Sequence, residues 1–338
     1  MIPDPNKPVL DVRGLTLDIS VASGTLHAVR GIDFDLHKGE TLCIVGESGS
    51  GKSLTSLAIM GLLDRNIRRS AQRLDFKGID LTKVSNRQMR ALRGDRIAMI
   101  FQEPMTSLNP AYTIGDQLME ALQLHRKVSR TVARARAVEL LEKVGITAAE
   151  SRLSQYPHQL SGGLRQRVVI AMALMCEPEL IIADEPTTAL DVTIQAQILN
   201  LLVELTREMD VAMILITHDL GVVARVADKV SVMYAGELVE TGPAADVFGK
   251  PMHPYTRGLL RCIPQPGKTD RNAPLGTIPG IVPSLVGEVE GCAFRTRCPH
   301  ASEACRAPIP QRGTPPHEFL CTFADGARAV EIARGELT

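Results

Sequence analysis

The stretch that most limits what this chain can fold into is GESGSGKS at Gly46–Ser53, which follows the apolar run TLCIV and opens into SLTSLAIMGLL. A strand that turns through glycines into a helix aims backbone N–H groups and the positive end of a helix dipole at one point, which is where a phosphate is held. Gly46, Gly49 and Gly51 let the backbone curl around the β- and γ-phosphates, with Glu47, Ser48 and Ser50 between them. Lys52 adds positive charge and Ser53 offers a hydroxyl to Mg²⁺. In strand-loop-helix context this pattern binds a nucleoside triphosphate and requires an α/β fold around it.

The rest of the chain supplies that fold. TLCIVG (41–46), RIAMIF (96–101), LIIADE (180–185) and AMILITH (212–218) are short apolar runs without alternation, the pattern of strands buried on both faces. KVSVMYAGELVETG (229–242) reads as a hairpin turning near Ala235 and Gly236, and LDVRGLTLDISV alternates, so an antiparallel β layer is expected beside the parallel core. The stretch TIGDQLMEALQLHRKVSRTVARARAVELLEKVGI has apolar residues at helical spacing and predicts a helical subdomain inserted over about residues 103–176. Its arginines, Arg126, Arg130, Arg134 and Arg136, read as a solvated face. After about residue 260 proline and glycine dominate, so the chain divides into a nucleotide-binding domain, 1–260, and a loop-rich tail, 261–338, that needs another source of stability.

With 338 residues the length suits one large domain and a smaller one, and 38 basic residues balance 38 acidic ones, so the overall charge gives no reason to expect a nucleic-acid partner. No apolar run reaches the roughly 18 to 20 residues that cross a bilayer, and MIPDPNKPVL does not read as a signal peptide, so the chain is expected to stay on the cytosolic side.

The carboxyl ends of the strands carry the chemistry. Asp184 ends an apolar strand and is placed to hold Mg²⁺, and Glu185 follows it, placed to polarise the attacking water. His218 ends another strand and reaches the same crevice. Gln102 ends a third and completes the Mg²⁺ sphere with Ser53 and Asp184. Asp191 reads either as a helix cap or as part of the site. LSGGLRQR at Leu160–Arg167 is a second helix start suited to an anion, although the chain already has one phosphate loop.

The set GESGSGKS, FQEP, LSGGLRQR, LIIADEPTTALD and ITHD, in that order, resembles the ATP-binding subunits of ABC transporters, over essentially the whole chain. SLAIMGLLD, MTSLNPAYTIG, YPHQLSGG and HPYTRGLL are similar to the dipeptide and oligopeptide importer branch. The resemblance implies an ATPase whose catalytic residues are Glu185, His218 and Gln102, working head to tail with a second, paralogous ATPase subunit. Ser161, Gly162, Gly163 and Asp191 would then contact ATP held by that partner, which accounts for the second anion site. It further implies two integral-membrane permease subunits, an extracytoplasmic solute-binding protein, no nucleic acid, and a peripheral position on the cytoplasmic face of the inner membrane. Dipeptides, other short peptides, glutathione and nickel complexes all fit such an importer. The family often stacks adenine on an aromatic residue where this chain has Ile19, and Leu164 stands where Gln or Met is common. A soluble ABC ATPase acting on DNA or ribosomes, and a metabolic phosphate-loop kinase, are the rival classes.

Four of the seven cysteines, Cys292, Cys298, Cys305 and Cys321, crowd the tail with gaps of five, six and fifteen residues. These spacings match neither the common zinc nor the ferredoxin patterns, and leave free thiols, disulfides and a metal centre open. The tail IPGIVPSL…GCAFRTRCPHASEAC resembles those of peptide-importer subunits, some of which carry a [4Fe-4S] cluster. That resemblance implies the cluster on these four cysteines, with zinc as the alternative and His317 as a rival ligand.

Overall fold

The structure, a computed structural model, describes residues 7–103, 107–188, 190–263, 276–287 and 289–323. Part of FQEPMTSLNP and most of the proline- and glycine-rich run after Ile263 lie outside them.

Two sheets organise the chain. The first is antiparallel, with β1 (Leu10–Val21) in the middle, β2 (Gly24–Leu36) on one side, and β4 (Ile67–Ser70), β5 (Arg73–Phe76) and β6 (Ile79–Asp80) on the other. The second has eight strands. Five run parallel in the order β10 (Lys229–Tyr234), β3 (Thr41–Val45), β9 (Ala212–Ile216), β8 (Leu180–Asp184) and β7 (Ile97–Ile100). Beyond β10, β11 (Glu237–Pro243), β13 (His317–Leu320) and β12 (Gln311–Thr314) continue it antiparallel. The expected mixed sheet and antiparallel layer are both present.

The absence of alternation in the apolar runs has its cause here, because the second sheet is covered on both faces. In β3, Cys43 and Val45 point into one core while Leu42 and Ile44 point into the other. In β8, Ile181 and Ala183 take the first side, Leu180 and Ile182 the second. The second core lies against the antiparallel sheet through Leu10, Leu15, Leu17 and Phe34. The first lies against the helical subdomain.

That subdomain holds the helices Ile114–Arg126, Arg130–Lys143 and Gly162–Leu174. Each starts on a hydroxyl side chain, Thr113, Ser129 and Ser161, that accepts an otherwise unpaired N–H of its first turn. Leu118, Leu122, Ala137, Leu140 and Val168 fill its interior. The arginines of this region are ion-paired at the surface, Arg126 to Asp95, Arg130 to Asp116, Arg134 to Glu150 and Arg136 to Glu139. The hairpin turns where expected, with Ala235 and Gly236 both at positive φ, 50° and 82°.

The described part of the tail is mostly irregular, but it is not detached. Its β12–β13 hairpin extends the core sheet, pairing Phe319 with Glu240 and Glu318 with Thr241 of β11. Two strands of four residues carry too little pattern to be seen beforehand. Among the described residues no helix is long and apolar enough to cross a membrane.

Candidate active site

The phosphate loop leaves β3 at Gly46 and enters the helix Lys52–Met60. Glycine is needed at two points for steric reasons. Gly46 has φ 154°, and a Cβ there would lie 2.0 Å from the Met233 carbonyl oxygen; at Gly51, φ 107°, it would lie 2.6 Å from that of Ala28. The loop is therefore seated against β2 and the end of β10, and the Gly236 N–H adds a bond to the Ser50 carbonyl at 3.0 Å.

Lys52 is almost wholly buried, and its ammonium lies inside the loop, donating to the carbonyls of Gly46 at 2.8 Å and Glu47 at 2.9 Å. Burial holds its pKa below the usual lysine range, against the pull of Glu185, Asp184 and Glu47. Ser50 Oγ is buried with no partner among the described residues. A loop of N–H donors with a caged ammonium and an orphaned hydroxyl fits a polyphosphate.

Ser53 Oγ donates to Asp184 Oδ1 at 3.0 Å. Asp184 is pushed up from the usual carboxylate range, chiefly by burial, with Glu185 adding to the rise and the Ser53 bond and Lys52 opposing it. A hydroxyl and a destabilised carboxylate side by side form a hard oxygen pair suited to Mg²⁺.

Glu185 begins where β8 ends. Its φ of 45° is unusual for a residue with a side chain and turns the carboxylate into the crevice, while its N–H donates to the Ile216 carbonyl of β9 at 2.9 Å. Oε2 accepts from Gln102 Nε2 at 3.2 Å and from Thr188 Oγ1 at 2.9 Å, and His218 Nδ1 stands 3.6 Å away, too far for a hydrogen bond. Gln102 and His218 were expected at the ends of their strands. Each sits two residues beyond, on loop that leaves the sheet, and both still reach Glu185. Thr188 is a contact the sequence reading did not single out; its position three residues after Glu185 is the only signal it carries.

Ser161 caps its helix and is exposed, and Gly162 and Gly163 open it. A Cβ at Gly163 would approach Ile194 to 3.1 Å. Asp191 occupies the cap position of the helix Val192–Glu208, but its side chain makes no capping hydrogen bond and is exposed. Ile19 lies in β1 opposite Leu26 and Ile67, partly buried.

The tail reaches the phosphate loop directly. Arg297, side chain 5% exposed, clasps the Glu47 carboxylate with Nη1 at 2.7 Å and Nη2 at 3.0 Å. The Glu47 N–H donates to the Tyr255 hydroxyl at 2.9 Å. Tyr234, Tyr255 and Phe294 pack beneath, with ring centroids 4.5 to 5.4 Å apart. Sequence reading missed this contact. A carboxylate in a loop otherwise built to hold anions was the available signal.

Cys292, Cys298, Cys305 and Cys321 line one small cavity with Phe294, Ile309 and Phe323. All seven cysteines are unbridged. Burial raises the Cys292 thiol to about 11 and raises Cys298 and Cys321 as well; it also acts on Cys305, where hydrogen bonds from Ser302 and Thr322 outweigh it and bring the thiol below its ordinary value. Among the described residues no three of these sulfurs all fall within 4.8 Å of one another. His317 faces elsewhere, its Nε2 2.8 Å from the buried Glu240 carboxylate.

Comparison with known proteins places this geometry. The family model described as ABC transporter matches residues 29–188, and that described as oligopeptide/dipeptide transporter, C-terminal region, matches residues 239–305. The chain is 54% identical to the dipeptide transport ATP-binding protein DppD of Bacillus subtilis, over 97% of this chain and 98% of that one. It is 49% identical to the oligopeptide transport ATP-binding protein OppD of Salmonella typhimurium, over 95% of each. Among solved structures it is similar to the ATP-binding cassette MJ0796, seen as a dimer bound to ADP and Pi, with a TM-score of 0.60 and 29% identity over 70% of this chain and 98% of that one. It is likewise similar to CbiO1 of Clostridium perfringens, part of the cbiONQ transporter complex, with a TM-score of 0.62 and 29% identity over 72% of this chain and 92% of that one.

Proposed function

The chain belongs to the ATP-binding subunits of ABC peptide importers, and from that premise we propose that it hydrolyses ATP to power the uptake of dipeptides or other short peptides across the cytoplasmic membrane. The observation that carries the reading is the convergence of Ser53 with Asp184, and of Gln102, Thr188 and His218 with Glu185, at the carboxyl ends of three neighbouring parallel strands beside the phosphate loop.

Each residue has a task in that reaction. The phosphate-loop N–H groups, Lys52 and Ser50 hold the polyphosphate of ATP. Ser53, Asp184 and the amide oxygen of Gln102 would hold Mg²⁺, which offsets phosphate charge when bound. Glu185 accepts a proton from, or orients, the attacking water. Gln102 and Thr188 fix the direction of its carboxylate, and His218 lies where it can contact the γ-phosphate side of the site. Ile19 supplies an apolar contact for the base.

Ser161, Gly162, Gly163 and Asp191 are assigned to ATP held by a partner subunit. Support comes from the exposed helix start, which is suited to an anion, and from the dimer seen in the MJ0796 cassette. The partner ATPase is taken as a paralogue, with two integral-membrane permeases and an extracytoplasmic binding protein completing the importer, and this chain peripheral on the cytoplasmic face. The permease meets the helical subdomain.

The four tail cysteines are assigned a [4Fe-4S] cluster. The support is that all four line one cavity, with the likeness of the tail to those of peptide-importer subunits. The role is structural or regulatory. Iron and acid-labile sulfide near zero in protein purified without oxygen would remove this assignment.

The test of the whole reading is to tag this chain in its native cell, solubilise the membranes gently and identify what co-purifies. Two integral membrane proteins and a second ATPase are expected, and the associated binding protein can then be screened with dipeptides, longer peptides, glutathione and nickel complexes. Recovery with ribosomes or DNA instead would overturn transport while leaving the ATPase chemistry.

A further inference from the structure

Glu47 is the only acidic residue in GESGSGKS, and both oxygens of its carboxylate are held by Arg297, 250 residues away. Arg297 is itself fixed on every side. Its Nε donates to the Pro279 carbonyl at 2.9 Å, Nη2 also to that of Ile278 at 3.0 Å, and Nη1 to the Tyr234 hydroxyl at 3.4 Å. The guanidinium lies over the rings of Tyr234 and Phe294 at 5.8 and 5.9 Å. A planar fork with this many constraints fixes a direction as well as a distance. On the other side of Glu47, its carbonyl and that of Gly46 are the two acceptors that hold the Lys52 ammonium. The segment that presents Arg297 is in turn set by the cysteine region: Arg297 immediately precedes Cys298, and the Cys292 N–H donates to the Cys305 carbonyl at 2.8 Å.

We propose that Arg297 is a positioning residue for the ATP site: the cysteine-bearing tail, through the Arg297–Glu47 fork, sets the backbone of the phosphate loop and thereby the aim of Lys52. The inference rests on the nucleotide-site reading given above. It gives the C-terminal region a direct effect on nucleotide affinity and makes the order of the cysteine segment legible at the phosphate loop.

The test measures Mg²⁺-ATP binding to the full-length chain by calorimetry for the parent, Glu47→Gln, Arg297→Lys, Arg297→Met and the double variant Glu47→Gln/Arg297→Met. Glu47→Gln and Arg297→Met, which each remove one charge of the pair, should each weaken binding about tenfold, the size expected for one charge-assisted contact. Arg297→Lys, which keeps the charge and loses the fork, should fall between. The double variant should be no worse than the weaker single one, because the two residues act as a unit. In the assembled transporter the same changes should raise KM for ATP.

Glu47 lies in the loop and is more exposed than Arg297, 28% against 5%, so Glu47→Gln reports even where an Arg297 variant fails to fold. A Kd for Glu47→Gln within about twofold of the parent, or effects that multiply in the double variant, would overturn the proposal. A parent chain that binds no ATP would bring down the nucleotide-site reading together with this inference, and is told apart from a parent that binds normally while the variants do not change.

Discussion

The side chains of Gln102 and Glu185 meet in the crevice, the amide Nε2 donating to the carboxylate Oε2 at 3.2 Å, and Thr188 Oγ1 adds a second donor at 2.9 Å to the same oxygen. Two neutral donors hold the carboxylate in one direction and leave it an acceptor. Glu185→Gln keeps the size of the side chain and removes that capacity. ATP binding should be retained, while phosphate release falls on the order of 10²- to 10⁴-fold, the usual contribution of a positioned general base. Near-normal hydrolysis would take Glu185 out of this role.

Asp184 bears an opposite cost and benefit. Its carboxyl is held above the usual range mainly by burial, so the ionised form is disfavoured in the fold and weighs against stability at every pH above its raised pKa. Asp184→Asn, melted without Mg²⁺, should therefore be the more stable protein at neutral pH, with the gain shrinking as pH is lowered toward about 4. The same variant should lose Mg²⁺-dependent hydrolysis by at least about a hundredfold. A melting temperature unchanged at neutral pH would contradict the burial argument.

Two histidines of the C-terminal region should give pH effects of opposite sign. His253 is buried and its Nδ1 accepts the Tyr255 N–H at 3.1 Å, so the ring is neutral and its pKa is pushed down to about 4. Stability from this group is full above the unfolded value near 6.5 and is lost as pH falls toward 4, a loss on the order of 3 kcal/mol. His317 is raised by its bond to Glu240, so its contribution is full below the unfolded value and is lost as pH rises through the raised one. Unfolding by denaturant across pH 4 to 8 checks both. His253→Gln should flatten the acid side of the profile, and His317→Gln should cost most at low pH.

Ser161 separates the partner's site from its own. Ser161→Arg removes a helix cap, worth about 1 kcal/mol, and places bulk at an exposed helix start. Hydrolysis should fall in the assembled pair of ATPases, while ATP binding by the isolated chain stays at the parent value. An equal loss in the isolated chain would count against contact in trans.

How far the sequence led depended on whether an element's pattern was local. The parallel strands were legible because both faces of the sheet are covered, which writes an unbroken apolar run for each; the double coverage is seen at Leu42 and Cys43 of β3. The phosphate loop was legible because Gly46 and Gly51 are sterically required where they stand. Strand ends were less so: Gln102 and His218 lie two residues past the last ladder pair, since no local signal marks where a strand stops bonding. The β12–β13 hairpin was missed because its four-residue strands are held by β11 rather than by their own periodicity. The Arg297–Glu47 fork spans most of the chain, and only the fold brings its two ends together.

The most direct measurement is ATP-dependent accumulation of a labelled dipeptide in proteoliposomes holding the complex recovered on a tagged copy of this chain. Accumulation that needs ATP on the side exposing this chain, and that disappears with Glu185→Gln, is the expected result. Hydrolysis of ATP by the parent complex with no movement of any peptide would contradict the assignment of this chain to peptide import.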